Sequence, residues 1–244
     1  MASLVDLDPD LGQLLDEPRL ARARVDLRVR LMTLPRGEWS CGPLISAYST
    51  HLGLLVLEGA IAREVVLADT VSSELLGPGD VIRPWGGAGA PRLLGEQSRW
   101  HVLAAARLAV LTNGFGVAVA RYPEVHALLI ERLDERAERL ATLKAITQLN
   151  SVSRRLIALF WHLAERWGRM TADGIVVPLT LSHRLLGELV GARRPTVSAA
   201  LATLASEGRL VRRESGDWLL VDAPEETPAT RVVSHRRRLL AALP

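Results

Sequence analysis

Cysteine is almost missing from this 244-residue chain, which holds Cys41 alone. An intramolecular disulfide needs two cysteines and a cysteine-held iron–sulfur cluster usually needs four, so both are excluded. The lone Cys41 reads as a small core hydrophobe rather than a redox group. Long apolar runs are missing too. No stretch reaches the eighteen or so residues needed to span a bilayer. The opening MASLVDLDPDLG is acidic and lacks the basic-then-apolar order of a secretory signal, so the expectation is a cytoplasmic protein with no membrane partner. Metal signatures are absent as well. The six histidines (His51, His101, His126, His162, His183 and His235) are scattered, without H-x-H, H-x₃-H or a Cys/His cluster. There is no G-x-S-x-G, P-loop or dinucleotide fingerprint. GGAGAP at 86–91 precedes no helical pattern and reads as a loop. No catalytic residue, metal or cofactor is expected.

What is present is a globular composition, 48% hydrophobic and 23% charged, with a polarity hidden under a net charge of +3. Residues 1–150 hold 16 Arg/Lys against 18 Asp/Glu, and residues 151–244 hold 14 against 9. A mildly acidic front is therefore joined to a basic back, as expected if the C-terminal part meets a polyanion. Residues 8–24 suggest short helical pieces broken by Pro18. From about 28 to 120, short apolar segments alternate with turn signals: VRLMTL, LISAYS, LGLLVLEG, AREVVLA, SELLGPGDVI, WHVLAA and RLAVLT. Their length and spacing predict an antiparallel sandwich or small barrel, with a tight turn at Gly77, Pro78 and Gly79.

After Tyr122-Pro123 the period becomes helical. Over 123–149 Leu129, Leu133, Leu140 and Leu143 form a narrow stripe interrupted by Arg136. Such a seam either pairs with its own copy as a coiled coil or packs on the adjacent β-domain, and dimerisation is the favoured reading. A second helix over 152–168 is capped by Ser151 or Ser153, ends at Gly168 and buries Leu156, Phe160 and Leu163. Trp161 and Trp167 read as packing residues. IVVPLT after Gly174 predicts a short strand, placed at an edge by its proline.

The informative segment is LTLSHRLLGELVGARRPTVSAALATLASEGRL. A helix starting near Ser182 runs through Leu185, Leu186, Leu189 and Val190 and stops at Gly191. A second opens at Pro195, which is tolerated at a first helical position because its missing N–H has no intrahelical partner there. Two helices joined by a short glycine-bearing turn are a helix-turn-helix. Val197, Leu201 and Leu204, with Ala200, form the inner side. Pro195, Ser198, Ala199 and Ala202 face outward, behind Arg193 and Arg194 at the tip. Arginine forks bond bidentately to guanine in the major groove, and Thr196 and Ser198 can donate to phosphate. Beyond Gly208, RLVRRESGDWLLV predicts a hairpin wing carrying Arg209, Arg212 and Arg213 for phosphate contacts.

The order of β-domain, long helix and LLGELVGARRPTVSAALATLASEGRL resembles the Crp/Fnr superfamily of bacterial transcription regulators. The resemblance implies an α+β fold. It comprises an antiparallel β-roll (a cupin-like sandwich) with short N-terminal helices over 1–120, a dimerisation helix over 121–149, a winged helix-turn-helix over 150–223 and a basic tail over 224–244. It implies a homodimer on a palindromic operator, with double-stranded DNA, RNA polymerase and an unidentified small-molecule effector as partners. Base reading would fall to Arg194 and its neighbours Arg193, Thr196 and Ser198, with Ala199 also at the DNA-binding face. Many members carry a charged residue at the position of Pro195 and arginine at that of Ala199, so a different operator is expected. Cyclic-nucleotide binders show a Gly-Glu pair and, several residues on, an Arg-Ser/Thr-Ala segment. In RPWGGAGAPRLLGEQSRWHVLAA, Gly95-Glu96 and Arg99 stand too close together, so a cyclic nucleotide is not the expected effector. Family members that sense haem gases exist, yet His51 and His101 read as satisfied histidines before axial ligands. The alternative reading is a ligand-binding or enzymatic β-roll whose winged domain mediates protein contacts.

Overall fold

A computed structural model describes residues 1–42, 44, 50–85 and 93–221. The segment LISAYS (in all but one residue), the GGAGAP loop and the basic tail fall outside the described residues.

The chain opens with a two-residue strand, β1 (Ala2–Ser3), then helix α1 (Leu4–Leu7), a 3-10 turn (Pro9–Gly12) and α2 (Glu17–Asp26). Pro18 does not break a helix as the sequence suggested. It lies in the first turn of α2, where it costs no hydrogen bond, and Asp16 caps that turn by accepting from the Arg19 N–H at 2.8 Å.

The roll follows: β2 (Arg28–Leu34), β3 (Gly37–Glu38), β4 (Gly53–Leu67), β5 (Thr70–Leu76), β6 (Val81–Ile82) and β7 (Glu96–Leu111). All pair antiparallel in one seven-stranded sheet whose main path runs β1-β2-β7-β4-β5, with β3 on β7 and β6 on β4. Four segments that read as separate strands are two long ones. LGLLVLEG and AREVVLA join in β4, and WHVLAA and RLAVLT join in β7. Gly59, which ends the first of the two segments joined in β4, sits in a bulge. Its φ is +93°, the β4–β7 register slips around it, and a Cβ there would lie 2.5 Å from the Ala105 carbonyl oxygen.

Alternation along the strands builds two cores. Leu54, Val56, Ile61, Leu76, Trp85, Trp100, Val102 and Leu108 fill the roll interior with Cys41 beside them. Leu55, Ala109 and Leu111 face outward, onto Leu4, Leu11 and Phe115 and onto Val125 and Leu129. Phe115 belongs to α3 (Asn113–Val119), and the last two to the long helix α4 (Pro123–Thr147). Burial pushes the Cys41 thiol up to about 12, so it stays protonated and inert at neutral pH.

Helix α5 (Val152–Trp167) opens the C-terminal part, capped by Ser151 and ending at Gly168 as expected. It buries Leu156, Phe160 and Leu163. Next come β8 (Arg169–Thr171), β9 (Gly174–Val177), α6 (His183–Val190), α7 (Arg194–Ser206), β10 (Leu210–Arg212) and β11 (Trp218–Leu220). Their sheet runs β10-β11-β9-β8. IVV is therefore a central strand rather than an edge: Pro178 stands just beyond β9 and removes no ladder bond, while β8 supplies the edge.

The turn at 77–80 ties these parts together. Asp80, 1% exposed, accepts from the Gly77 N–H at 2.8 Å, meets Arg166 of α5 at 2.8 Å and is bonded by Arg139 of α4. Arg166 also donates to the Pro78 carbonyl at 2.6 Å, and the Trp167 ring lies so close to Gly77 that a Cβ there would sit 2.8 Å from it. Arg136, which interrupts the leucine stripe in sequence, points the other way and grips Glu74 through two bonds of 2.6 and 2.8 Å. Arg132 does the same to Asp8.

Removing one partner of a buried ion pair strands the other charges, so Asp80→Ala is expected to cost about 3–5 kcal/mol in denaturant unfolding. Unfolding of the variant at wild-type denaturant concentration would show that the turn carries no such load. Cys41 is expected to stay unreactive to a thiol reagent in the folded protein and to react on unfolding.

Candidate nucleic-acid interface

Helix α6 starts where Ser182 accepts from the Leu185 N–H at 3.2 Å and stops at Gly191, whose φ of 65° and ψ of 46° place it in the left-handed region. The Ala192 N–H then bonds back to the Gly187 carbonyl at 2.9 Å, closing the turn. Gly187 is required by that closure, because a Cβ on it would lie 2.4 Å from the Ala192 carbonyl oxygen. Arg155 of α5 secures the same corner, donating to the carbonyls of Val190 and Gly191 at 3.2 Å each and to that of Leu149 at 2.7 Å. A cation on the C-terminal carbonyls of α6 also opposes the negative end of its dipole. Neither Gly187 nor Arg155 stood out in the sequence, since the partners of both are set by tertiary contact.

Arg193 is the N-cap of α7 and Pro195 lies in its first turn. Val197, Ala200, Leu201 and Leu204 are buried against Leu185, Leu186, Leu189, Phe160 and Trp218, as the helical spacing required. Burying the valine and leucine side chains contributes on the order of 1.5–3 kcal/mol each, which holds α7 in one rotation about its axis. The other side is bare: Arg193, Arg194, Pro195, Thr196, Ala199 and Ala202 are exposed.

Ser198 departs from expectation. It is half-buried, and its hydroxyl lies 2.8 Å from Nδ1 of His183, the first residue of α6. Burial, with Arg212 and Arg194 nearby, holds the His183 imidazole below the usual histidine range.

The wing forms as expected, β10 and β11 pairing in the register Leu210–Leu220, Val211–Leu219 and Arg212–Trp218. The Gly216 N–H bonds the Arg213 carbonyl at 2.9 Å across the turn, with Gly216 at a φ of 89°. Arg212 and Arg213 are exposed, and the Arg212 guanidinium lies 5.7 Å from the Trp218 ring centroid, which limits its sweep. Arg209 is half-buried and 3.6 Å from Glu207 of the same segment, so part of its charge is spent locally.

The opposite side of α6 docks on the roll. Glu188 accepts from the Ser73 hydroxyl at 2.7 Å, and Arg184 bridges Glu188 at 2.7 Å and Glu64 of β4 at 2.9 Å. This leaves the arginine tip, the small face of α7 and the wing free together. Among the described residues no group of three His, Cys, Asp or Glu could hold a metal, and no helix is long and apolar enough to cross a membrane.

Of the four leucines expected on one seam of α4, only Leu133 and Leu140 are exposed, at 47% and 40%. Leu129 is buried in the chain's own β-domain and Leu143 packs on the core of the C-terminal part.

Comparison with known proteins agrees with this geometry. Residues 154–225 match the Crp-like helix-turn-helix domain family. The chain is similar to the regulatory protein CysR of Synechococcus elongatus, 29% identical over 160 residues, 64% of this chain and 68% of that protein. Among solved structures it resembles a CooA mutant from Carboxydothermus hydrogenoformans, with a TM-score of 0.63 at 17% identity over 91% of this chain and 94% of that one. A cyclic nucleotide-binding domain containing protein from Listeria monocytogenes gives a TM-score of 0.65 at 17% identity over 90% and 99%. The relative from S. elongatus is named as a regulatory protein.

Gly187→Ala is expected to lower the melting temperature markedly, because the new methyl meets backbone at the corner and overpacking of that kind costs about 1–3 kcal/mol. A melt within a degree or two of wild type would show that the corner relaxes freely.

Proposed function

We propose that this Crp-family transcription regulator, with its helix-turn-helix DNA-binding domain, acts as a homodimer that reads a two-fold symmetric operator. The observation that carries the reading is the free face on which the tip of α7 and the wing stand together. Arg193 and Arg194 reach base edges, while Thr196, Arg212 and Arg213 engage phosphate, with a smaller share from the partly paired Arg209. Ala199 and Ala202 let the helix approach the groove closely. With alanine behind the tip, discrimination falls largely to the two arginines. Residues 1–120 serve as the sensor-like unit, 121–149 as the dimerisation helix and 150–223 as the reader.

The middle of α4 supports the second copy. Ile130, Leu133, Ala137 and Leu140 are exposed and follow one another at intervals of three, four and three residues, the spacing of a coiled-coil seam. Arg132, Arg136 and Arg139 face their own chain, so the seam is free of their charge. Pairing along it sets two α7 helices on successive major grooves.

The effector we infer is not a cyclic nucleotide. Glu96 and Arg99 lie along extended β7 rather than in a cradle, Arg99 is exposed, and Trp100 fills the roll interior beside Trp85.

Selection from random duplexes is expected to yield an inverted repeat with half-sites about one helical turn apart. Recovery of unenriched sequence would refute the reading. Arg194→Ala is expected to cost about 1–3 kcal/mol on the selected duplex and much less on a scrambled one. Arg212→Ala is expected to weaken both alike and to lower the salt slope by about one. Identical behaviour of the two variants would refute the division between reader and anchor. Leu133→Asp with Leu140→Asp is expected to give a folded monomer by sedimentation; a dimer that survives both changes would place the interface elsewhere.

A further inference from the structure

We propose that His183 is a proton-linked DNA contact: its imidazole, oriented by Ser198, takes up a proton as a duplex phosphate closes on the face between α7 and the wing. The inference rests on the reading of this face as the DNA interface and adds to it a residue and a linkage.

The geometry is specific. His183 opens α6, immediately after the capping Ser182, so its side chain stands at the rim of the helix-turn-helix rather than in the core. Its Nδ1 is fixed on the Ser198 hydroxyl at 2.8 Å, one turn along α7 from Arg194. Ser198 is the half-buried residue on the flank of that helix, between the seated side and the bare side. A ring held through Nδ1 has Nε2 on its far edge, and among the described residues Nε2 has no protein partner. Among the described residues the charges that act on the ring are those of Arg212 from β10 and Arg194 from α7, both cationic. The imidazole therefore sits among the cations that the same face offers to phosphate.

Burial first, and then those cations, disfavour the charged ring in the free protein. In the neutral ring with the proton on Nε2, Ser198 donates to Nδ1, and its own hydrogen is unavailable to DNA. A phosphate docking against Arg194 and Arg212 reverses the local field, and phosphate oxygens accept but do not donate. Protonation from solvent satisfies both groups. Nε2–H donates to a phosphate oxygen, Nδ1–H donates to Ser198 Oγ, and the Ser198 hydroxyl hydrogen is released to bond a phosphate or base acceptor. The proton comes from solvent and forms the Nδ1–H bond, no bond between heavy atoms is made or broken, and one proton is gained per half-site.

The sign follows. The free imidazole titrates below the usual histidine range and the bound one titrates higher, so affinity rises as pH falls through the bound value and levels off below the free one.

The test uses the full chain and its selected duplex at fixed salt, with affinity measured by fluorescence anisotropy between about pH 8 and about pH 6. Affinity is expected to tighten as pH falls, by at most about tenfold per pH unit for each linked proton. Calorimetry in two buffers of different ionisation enthalpy is expected to show net proton uptake. His183→Gln keeps a donor at the rim and is expected to flatten the pH dependence and abolish the uptake while leaving the melting temperature near wild type. Ser198→Ala, which frees the ring, is expected to weaken the slope. A duplex bound with pH-independent affinity, or a slope unchanged in His183→Gln, would overturn the inference alone. Failure to bind any duplex at any pH would overturn the reading of the face and the inference with it.

Discussion

Asp80 is the carboxylate on which the arrangement of the parts depends. It is buried, and burial of an unpaired carboxylate is costly enough that its partners are obligatory. Those partners come from three directions: the Gly77 N–H of its own turn, Arg139 of α4 and Arg166 of α5. One charge thus joins the roll, the long helix and the first helix of the C-terminal part. Arg136 on Glu74 and Arg132 on Asp8 repeat the device along α4. A movement of the 77–80 turn cannot leave α4 and α5 in place without stranding a charge, so the roll and the C-terminal part are coupled through these polar contacts. That is the kind of element whose equilibrium an effector could bias.

The long helix shows how one amphipathic pattern serves three neighbours. Its first turns bury Val125 and Leu129 against the roll, its last turns bury Ile146 and seat Leu143 against the C-terminal core, and only its middle leaves Ile130, Leu133 and Leu140 exposed. A stripe read as one seam is in fact rotated from end to end. The arginines on the inward side anchor the helix and leave Ile130, Leu133, Ala137 and Leu140 exposed on the outward side, which confines any self-association through them to about three turns.

Legibility in the sequence followed the range of the interactions involved. The helix-turn-helix and the wing were readable because their signals are local: Gly191 for a left-handed stop, Pro195 for a helix start, and apolar residues at helical spacing behind it. The inner side of α7 was placed correctly for the same reason. Strand limits were misread where a residue's local habit gave way to a distant neighbour, as at Gly59, whose close approach to Ala105 and Ala106 makes a bulge inside one strand where two segments were expected. Pro18 and Pro178 were misjudged because each sits just inside or just outside an element. The exposure of Arg193, Arg194, Arg212 and Arg213 was legible, but the contacts that support the face were not. Gly187, Arg155 and the His183–Ser198 pair are defined by contacts across the fold, and no spacing announces them.

The central claim is that two copies of this chain hold two reading heads on one face of a duplex. Hydroxyl-radical footprinting of the full chain on its selected operator tests it most directly. The account predicts two protected windows on the same face, about one helical turn apart, related by the symmetry of the site. A single window from a chain that sediments as a monomer in the complex would contradict it.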